Sequence, residues 1–307
     1  MPILRVNADQ EVCRLHGTMQ PLGGALNRAA ESDGPVIVMI TGFSYQPSHP
    51  DHCPHRLVLD LPNAPPPRGV PSWPQGLGFG HRASGEGLAI AFGWNARGSI
   101  WGARRRAIAA GRALAKLLTE LRHRAPRRRV HVIAHSMGIE VAAAALHHLP
   151  AGTIHRMVSM TGATYRSRII AALATPAGRE VEFFNVVSRA NTVFDMFYER
   201  LISPPERHDK ALGRGLTTSN ALTIDLDCKL TLKRLADLGT AIEQPTHRIC
   251  HWSAYTRPGA LDCYRAWLRD PETHGFSLLR ARLERPDPHR SSKTAGTPVF
   301  ARAQLLT

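Results

Sequence analysis

Uninterrupted apolar runs, each bounded by polar, glycine- or proline-containing residues, set the rhythm of the chain. The run 36-VIVMI-40 is apolar and largely β-branched; 87-GLAIAFGW-94, 130-VHVIA-134, 155-HRMVSMT-161 and 181-VEFFNVVS-188 repeat the pattern. Such runs predict strands buried on both faces, as in the middle of a parallel sheet. Between them the apolar positions widen to helical spacing. In 103-ARRRAIAAGRALAKLLTEL-121, residues Ile108, Leu114, Leu117, Leu118 and Leu121 recur as one face of an amphipathic helix. The first 30 residues predict a short strand and then a helix over 24–31. Further helices are expected over 138–148, stopped before Pro150, and over 168–174, 195–201, 230–238 and onward from Ala260. Strands alternating with helices predict βαβ units with right-handed crossovers. The fold class is therefore α/β, with a mostly parallel central sheet and helices on both faces.

Two segments break this rhythm. Residues 43–86 are rich in Pro, Gly and His and show no helical period, and residues 202–245 begin polar and Pro-containing before passing through 221-ALTIDL-226. Long irregular segments in a compact domain are usually functional, so both are expected to be loop or lid insertions over a site. A chain of 307 residues allows one large α/β domain or two small ones; the expectation here is one domain over 1–284. The polar, proline-containing residues 285–307 are expected to form a disordered tail.

Composition narrows the setting. No run approaches 18 uncharged apolar residues, so no membrane span is expected, and the N-terminus lacks the basic and apolar regions of a secretory leader. Five scattered cysteines without CxxC spacing favour reduced thiols and a cytoplasmic location. The net charge of +15 raises the question of nucleic acid or an anionic membrane surface. The densest basic runs, 103–107 and 122–129, flank one predicted helix, and no aromatic residues interleave with them to stack bases. This argues against nucleic acid as a partner and for an arginine-rich surface on an enzyme. The cluster His49, Asp51, His52, Cys53 and His55 consists of metal-ligand types, but its spacing matches no zinc module and no second ligand pair exists elsewhere. No metal and no cofactor is expected, and the oligomeric state stays open.

The stretch that carries chemistry is 129-RVHVIAHSMGIEVAAAALHHL-149. Ser136 stands where a strand becomes a helix. One reading is helix capping, but a capping box wants Glu or Gln three residues on, and that position is Ile139. The other reading is a nucleophile elbow, a serine on a strained turn whose neighbours two before and two after are small so that strand and helix can approach. Those neighbours are Ala134 and Gly138, giving A-x-S-x-G, one methyl away from G-x-S-x-G.

On the elbow, the earlier strand ending in 41-TGF-43 and the order of the later strands and helices, the chain resembles an α/β-hydrolase over residues 35–270, and specifically uncharacterised bacterial serine hydrolases. The resemblance implies a triad in the order Ser, acid, His. The acid belongs just after the strand 181–188, where the carboxylates are Asp195 and Glu199. Asn191 occupies one suitable slot but carries no charge to stabilise an imidazolium, so Asp195 is the expected acid. The base belongs on a loop after the last strand and before the C-terminal helix. His251, preceded by a short β-like piece, fits that place better than His208, His247, His274 or His289; His135, beside Ser136, should point elsewhere. The oxyanion hole implied by the fold takes the N–H of Met137 and one from the loop Gly42–Phe43, with Ser44 as the alternative second donor. Ser44, Trp252, Tyr255 and Arg257 are expected to contact substrate, and Arg257 would favour an acidic group. The activity implied is hydrolysis of a small-molecule carboxylic ester through an acyl-enzyme. The same constellation serves acyltransferases and thioesterases, and the fold also occurs in binding proteins without chemistry.

Overall fold

The computed structural model describes residues 3–30, 33–62, 71–81 and 83–285. An N-terminal hairpin, β1 (Ile3–Asp9) and β2 (Val12–Leu15), leads to helix α1 (Leu22–Ala30) and strand β3 (Val36–Ile40). After the short helix α2 (Trp73–Gly76) come β4 (Leu88–Trp94), α3 (Ile100–Arg124), β5 (Val130–His135) and α4 (Gly138–Leu146). Then follow β6 (Arg156–Met160), α5 (Arg166–Leu173), β7 (Glu182–Val187), α6 (Thr192–Leu201), β8 (Ala221–Asp225) and α7 (Lys229–Asp237). The short α8 (Ser253–Thr256), α9 (Ala260–Arg269) and α10 (Phe276–Leu283) close the described chain. The eight strands form one sheet in the order β2-β1-β4-β3-β5-β6-β7-β8. Only the β1–β2 pair is antiparallel.

Period-two alternation divides the central strands between two cores. Val36, Val38, Ile40, Val130, Val132 and Ala134 pack on one face with α1, α3, α4 and α5. Ile37, Met39 and Ile133 pack on the other with α2, α7, α8, α9 and α10. Because both faces are covered, β3, β4, β5 and β6 are buried at every position, which is why their sequences are mainly apolar; the exceptions, His131, His135, Arg156 and Ser159, are buried with them.

Several boundaries differ from the sequence expectation. Helix α3 begins earlier, at Ile100, because Ser99 caps it by accepting from the Gly102 N–H at 3.1 Å. Segment 43–86 is not devoid of helix: Ser72 caps α2, and Trp73 and Leu77 pack into the second core. Segment 202–245 supplies β8 and α7 at the sheet edge. The β-like piece before His251 is not a strand; residues 238–252 between α7 and α8 contain none. Residues 286–307, expected as a disordered tail, lie outside the described residues, as do 63–70 and 82 of the first insertion. No helix among the described residues is long and apolar enough to cross a membrane.

Candidate active site

Central strand β5 delivers Ser136 just past its C-terminal end with φ of 52°, in the left-handed region that costs a side-chain-bearing residue. The strain is held by its surroundings. The Ser136 N–H donates to the Met160 carbonyl at 3.1 Å, and the Ser136 carbonyl accepts from Ala163 at 3.0 Å and Ile139 at 3.2 Å. Two glycines make the turn sterically feasible. A Cβ at Gly138 would lie 2.7 Å from the Ile40 carbonyl oxygen, and one at Gly42 would lie 2.6 Å from the Ser136 Cβ. Helix α4 starts at Gly138 without a side-chain cap, so the Ser136 hydroxyl does not serve the helix.

The hydroxyl meets His251 instead, with Nε2 2.8 Å from Oγ. The other ring nitrogen, Nδ1, lies 2.6 Å from Asn191 Oδ1. An amide oxygen accepts only, so Nδ1 carries the proton and Nε2 faces the hydroxyl as a base. The Asn191 amide is oriented in turn by Asp195, whose Oδ1 accepts from Nδ2 at 3.0 Å. This corrects the expected acid: the side chain on His251 is Asn191, and Asp195 stands one hydrogen bond behind it. The physical reason is helical geometry. Asn191 ends the single turn after β7 and faces His251, while Asp195, one turn on within α6, packs on Gly213. A Cβ at Gly213 would lie 2.1 Å from Oδ2. Glu199 is turned away, accepting from the Ala211 N–H at 2.8 Å.

Burial governs the electrostatics here. Loss of water holds the His251 pKa down at about 4, since no charged group adjoins the ring to raise it. Loss of water pushes the Asp195 carboxyl up to about 7, opposed by nearby Arg214. His135 is driven well below the usual imidazole range by burial and then by His251. It is therefore neutral, and its Nε2–H donates to the His251 carbonyl at 3.0 Å. Thr161 donates to the same carbonyl at 3.3 Å. These two positioning groups were missed in sequence. The parity of β5 could have found His135, which shares a face with His131 and Ile133, away from the Ser136 hydroxyl.

Ser136 and His251 line a cavity of about 690 Å³ together with apolar side chains that include Met137, Val58, Leu57, Phe194 and Phe197. Among the described residues no hydrogen-bond partner is found for the N–H of Met137 or Phe43, and both residues line this cavity. The Ser44 N–H is taken by the Ala96 carbonyl at 3.2 Å, which removes it as a second oxyanion donor, although Ser44 lines the cavity. Trp252 and Tyr255 also line it. Arg257 does not: it is buried behind the site, donating to Leu226 and paired with Asp227 at 2.7 Å. Segment 43–58 forms one wall, whereas no residue of 202–245 reaches the cavity.

Other candidates are dispersed. His247 and His208 are exposed on loops, and His274 sits over Leu238 at the far end of α9. In the 49–55 cluster, His55 turns inward to Asn7 at 2.7 Å while His49 accepts from the N–H of Asp51 and His52. No group of three or more His, Cys, Asp or Glu side chains among the described residues is arranged to hold a metal ion.

Comparison with known families gives a match over residues 25–172 to a family described as an alpha/beta hydrolase of unknown function (DUF900). The matched span contains Gly42, Phe43 and Ser136 and ends before Asn191 and His251. No curated protein matches the chain.

Proposed function

The chain belongs to the α/β-hydrolase superfamily, and from that membership we propose that it is a serine hydrolase that cleaves carboxylic esters with a sizeable apolar acyl group. The observation that carries this reading is the hydrogen-bonded series Ser136–His251–Asn191–Asp195 opening on an apolar cavity. Ser136 Oγ attacks the ester carbonyl carbon as its proton passes to His251 Nε2. The oxyanion accepts from the N–H groups of Met137 and Phe43. The imidazolium returns the proton to the leaving alcohol as the C–O bond breaks, leaving an acyl-enzyme. Water, deprotonated by His251, then releases the acid. Asn191 fixes the tautomer throughout, and Asp195, when ionised, polarises the Asn191 amide toward the imidazolium.

The substrate class is argued from the lining. Leu57, Val58, Phe194, Phe197 and Leu201 supply apolar surface, and each buried methylene of a ligand gains about 0.8 kcal/mol. Among the described residues no Arg or Lys lines the cavity to meet an acidic acyl group, and Arg257 is committed to Asp227. The test is a series of chromogenic esters of increasing acyl length together with labelling by a fluorophosphonate. The expected result is labelling at Ser136 and kcat/KM that rises with chain length before the cavity is full. An unlabelled Ser136 together with no turnover of any ester would overturn the reading in favour of a binding protein.

A further inference from the structure

The large apolar side chains that stand exposed are not scattered evenly. Val12, Met19, Ile170 and Leu278 lie outside the lining of this cavity, but most of the others belong to it. On α6, Phe197 is 58% exposed and Met196 56%, with Phe194 and Leu201 beside them. Trp101, 52% exposed, donates its indole N–H to the Leu201 carbonyl at 2.9 Å, so it continues the same rim. Across the catalytic histidine, Trp252 is 54% exposed and Ile249 60%. The Phe194 ring lies 4.6 Å from that of His251 and joins the two sides. A contiguous apolar patch around a cavity mouth marks a surface that is covered in use.

Charge says what covers it. Arg200, Arg207 and Lys210 follow the apolar face of α6, and Arg248 precedes Ile249; all four are exposed. The acids of these segments are mostly withdrawn. Asp195 is buried, Glu199 accepts from Ala211, and Asp209 accepts from Ser167. Glu206 and Glu243 remain exposed against the four cations. Exposed apolar side chains including tryptophans, with exposed cations in the same segments, match the interface of a bilayer carrying negative headgroups.

We propose that this rim docks on an anionic lipid surface, so that the mouth of the cavity faces the bilayer and the acyl chain enters from the lipid. The second half rests on the esterase reading above; the docking itself does not. The experiment floats the inert Ser136→Ala protein with vesicles of phosphatidylcholine, alone and mixed with phosphatidylglycerol. Binding is expected to the mixed vesicles and to weaken with salt. The double variant Met196→Asp/Ile249→Asp, in side chains that do not line the cavity, is expected to lose binding on the order of tenfold or more, because apolar contacts become charges facing like-charged headgroups. With Ser136 restored it should hydrolyse a short soluble ester as the parent does and lose hydrolysis of an ester dispersed in the vesicles. Arg200→Gln and Arg248→Gln should each weaken binding to the mixed vesicles by roughly fivefold. Absence of binding to the mixed vesicles, or equal binding by the double variant, overturns the proposal. So does a dimer in solution that the same double variant dissociates while the parent ignores vesicles, which would mean that a second copy covers the rim. Failure to turn over any soluble ester would remove the esterase reading and leave the flotation result standing.

Discussion

The two halves of the site are held by different physics. At the nucleophile turn, residues 134–138, steric necessity governs: Ser136 has positive φ, Gly138 abuts the carbonyls of β3, and Gly42 abuts Ser136 itself. In the orienting loop, residues 188–195, no residue has positive φ, and the close packing is that of Asp195 on Gly213. Ser188 and Asp227 pin the turn by hydrogen bonds, and Asn191 and Asp195 connect to His251 through polar atoms alone. Around the first region Gly138 and Gly42 admit no side chain, because the backbone carbonyls of Ile40, Thr41 and His135 lie within 3 Å of where a Cβ would stand. The second can exchange one polar group for another and retune the base. On the proposed reading, a site built this way has a fixed nucleophile and an adjustable histidine.

Substitutions at the two regions should expose this difference. The largest effect is expected from Ser136→Ala, with a loss of kcat on the order of a million-fold and an unchanged melting temperature; activity near the parent's would mean that another group attacks. Next, Asn191→Ala leaves His251 Nδ1 buried without its acceptor, which costs about 1–3 kcal/mol and should lower kcat/KM on the order of a hundredfold. Steady-state kinetics with one ester decide it. Retention of full activity would show that Asn191 does not orient the ring.

A conservative exchange sharpens the contrast. Asn191→Asp places a carboxylate against His251 Nδ1, which favours the imidazolium and raises the histidine pKa. In the parent, His251 titrates near 4, so the acid limb of kcat/KM should lie well below neutrality, and in the variant it should move upward. An unmoved limb would assign that titration to another group.

The smallest effect concerns Asp195. Its folded pKa of about 7 stands above the ordinary 3.8. Between these values the folded state holds a proton that the unfolded state has released, so this carboxyl makes stability fall as pH rises from about 4 to about 7, with no further loss above. Asp195→Asn removes that contribution while keeping an acceptor for the Asn191 amide. The stability difference in favour of the variant should therefore grow across that interval and stay constant at higher pH, as followed by melting temperature. Activity should fall only on the order of tenfold, as expected for a group acting through a neutral intermediary.

The expectation about Asp195 failed for an instructive reason. A charged residue was preferred on chemical grounds, and the segment between β7 and the end of α6 contains only Asp195 and Glu199 as acids. Which of three polar residues meets His251 depends on where the tight turn after Val187 ends and α6 begins. That turn is set by Asp227, 36 positions along from Asn191, whose carboxylate accepts from Ser188 and from the Arg189 N–H. Arg257 was misplaced by the same kind of distant partner, since it too ends on Asp227.

Near neighbours along the chain were enough to specify part of this protein. Runs dominated by apolar residues specified the central strands, because positions covered on both faces are mostly apolar, and A-x-S-x-G between such a run and a small-residue helix specified the turn at Ser136. The folded chain was needed to establish what meets His251, which groups hold its carbonyl, and that the 202–245 segment builds the sheet edge while 43–58 walls the cavity. These outcomes rest on hydrogen bonds and contacts between residues tens to more than a hundred positions apart, and no local period or spacing carries information about pairs so far separated.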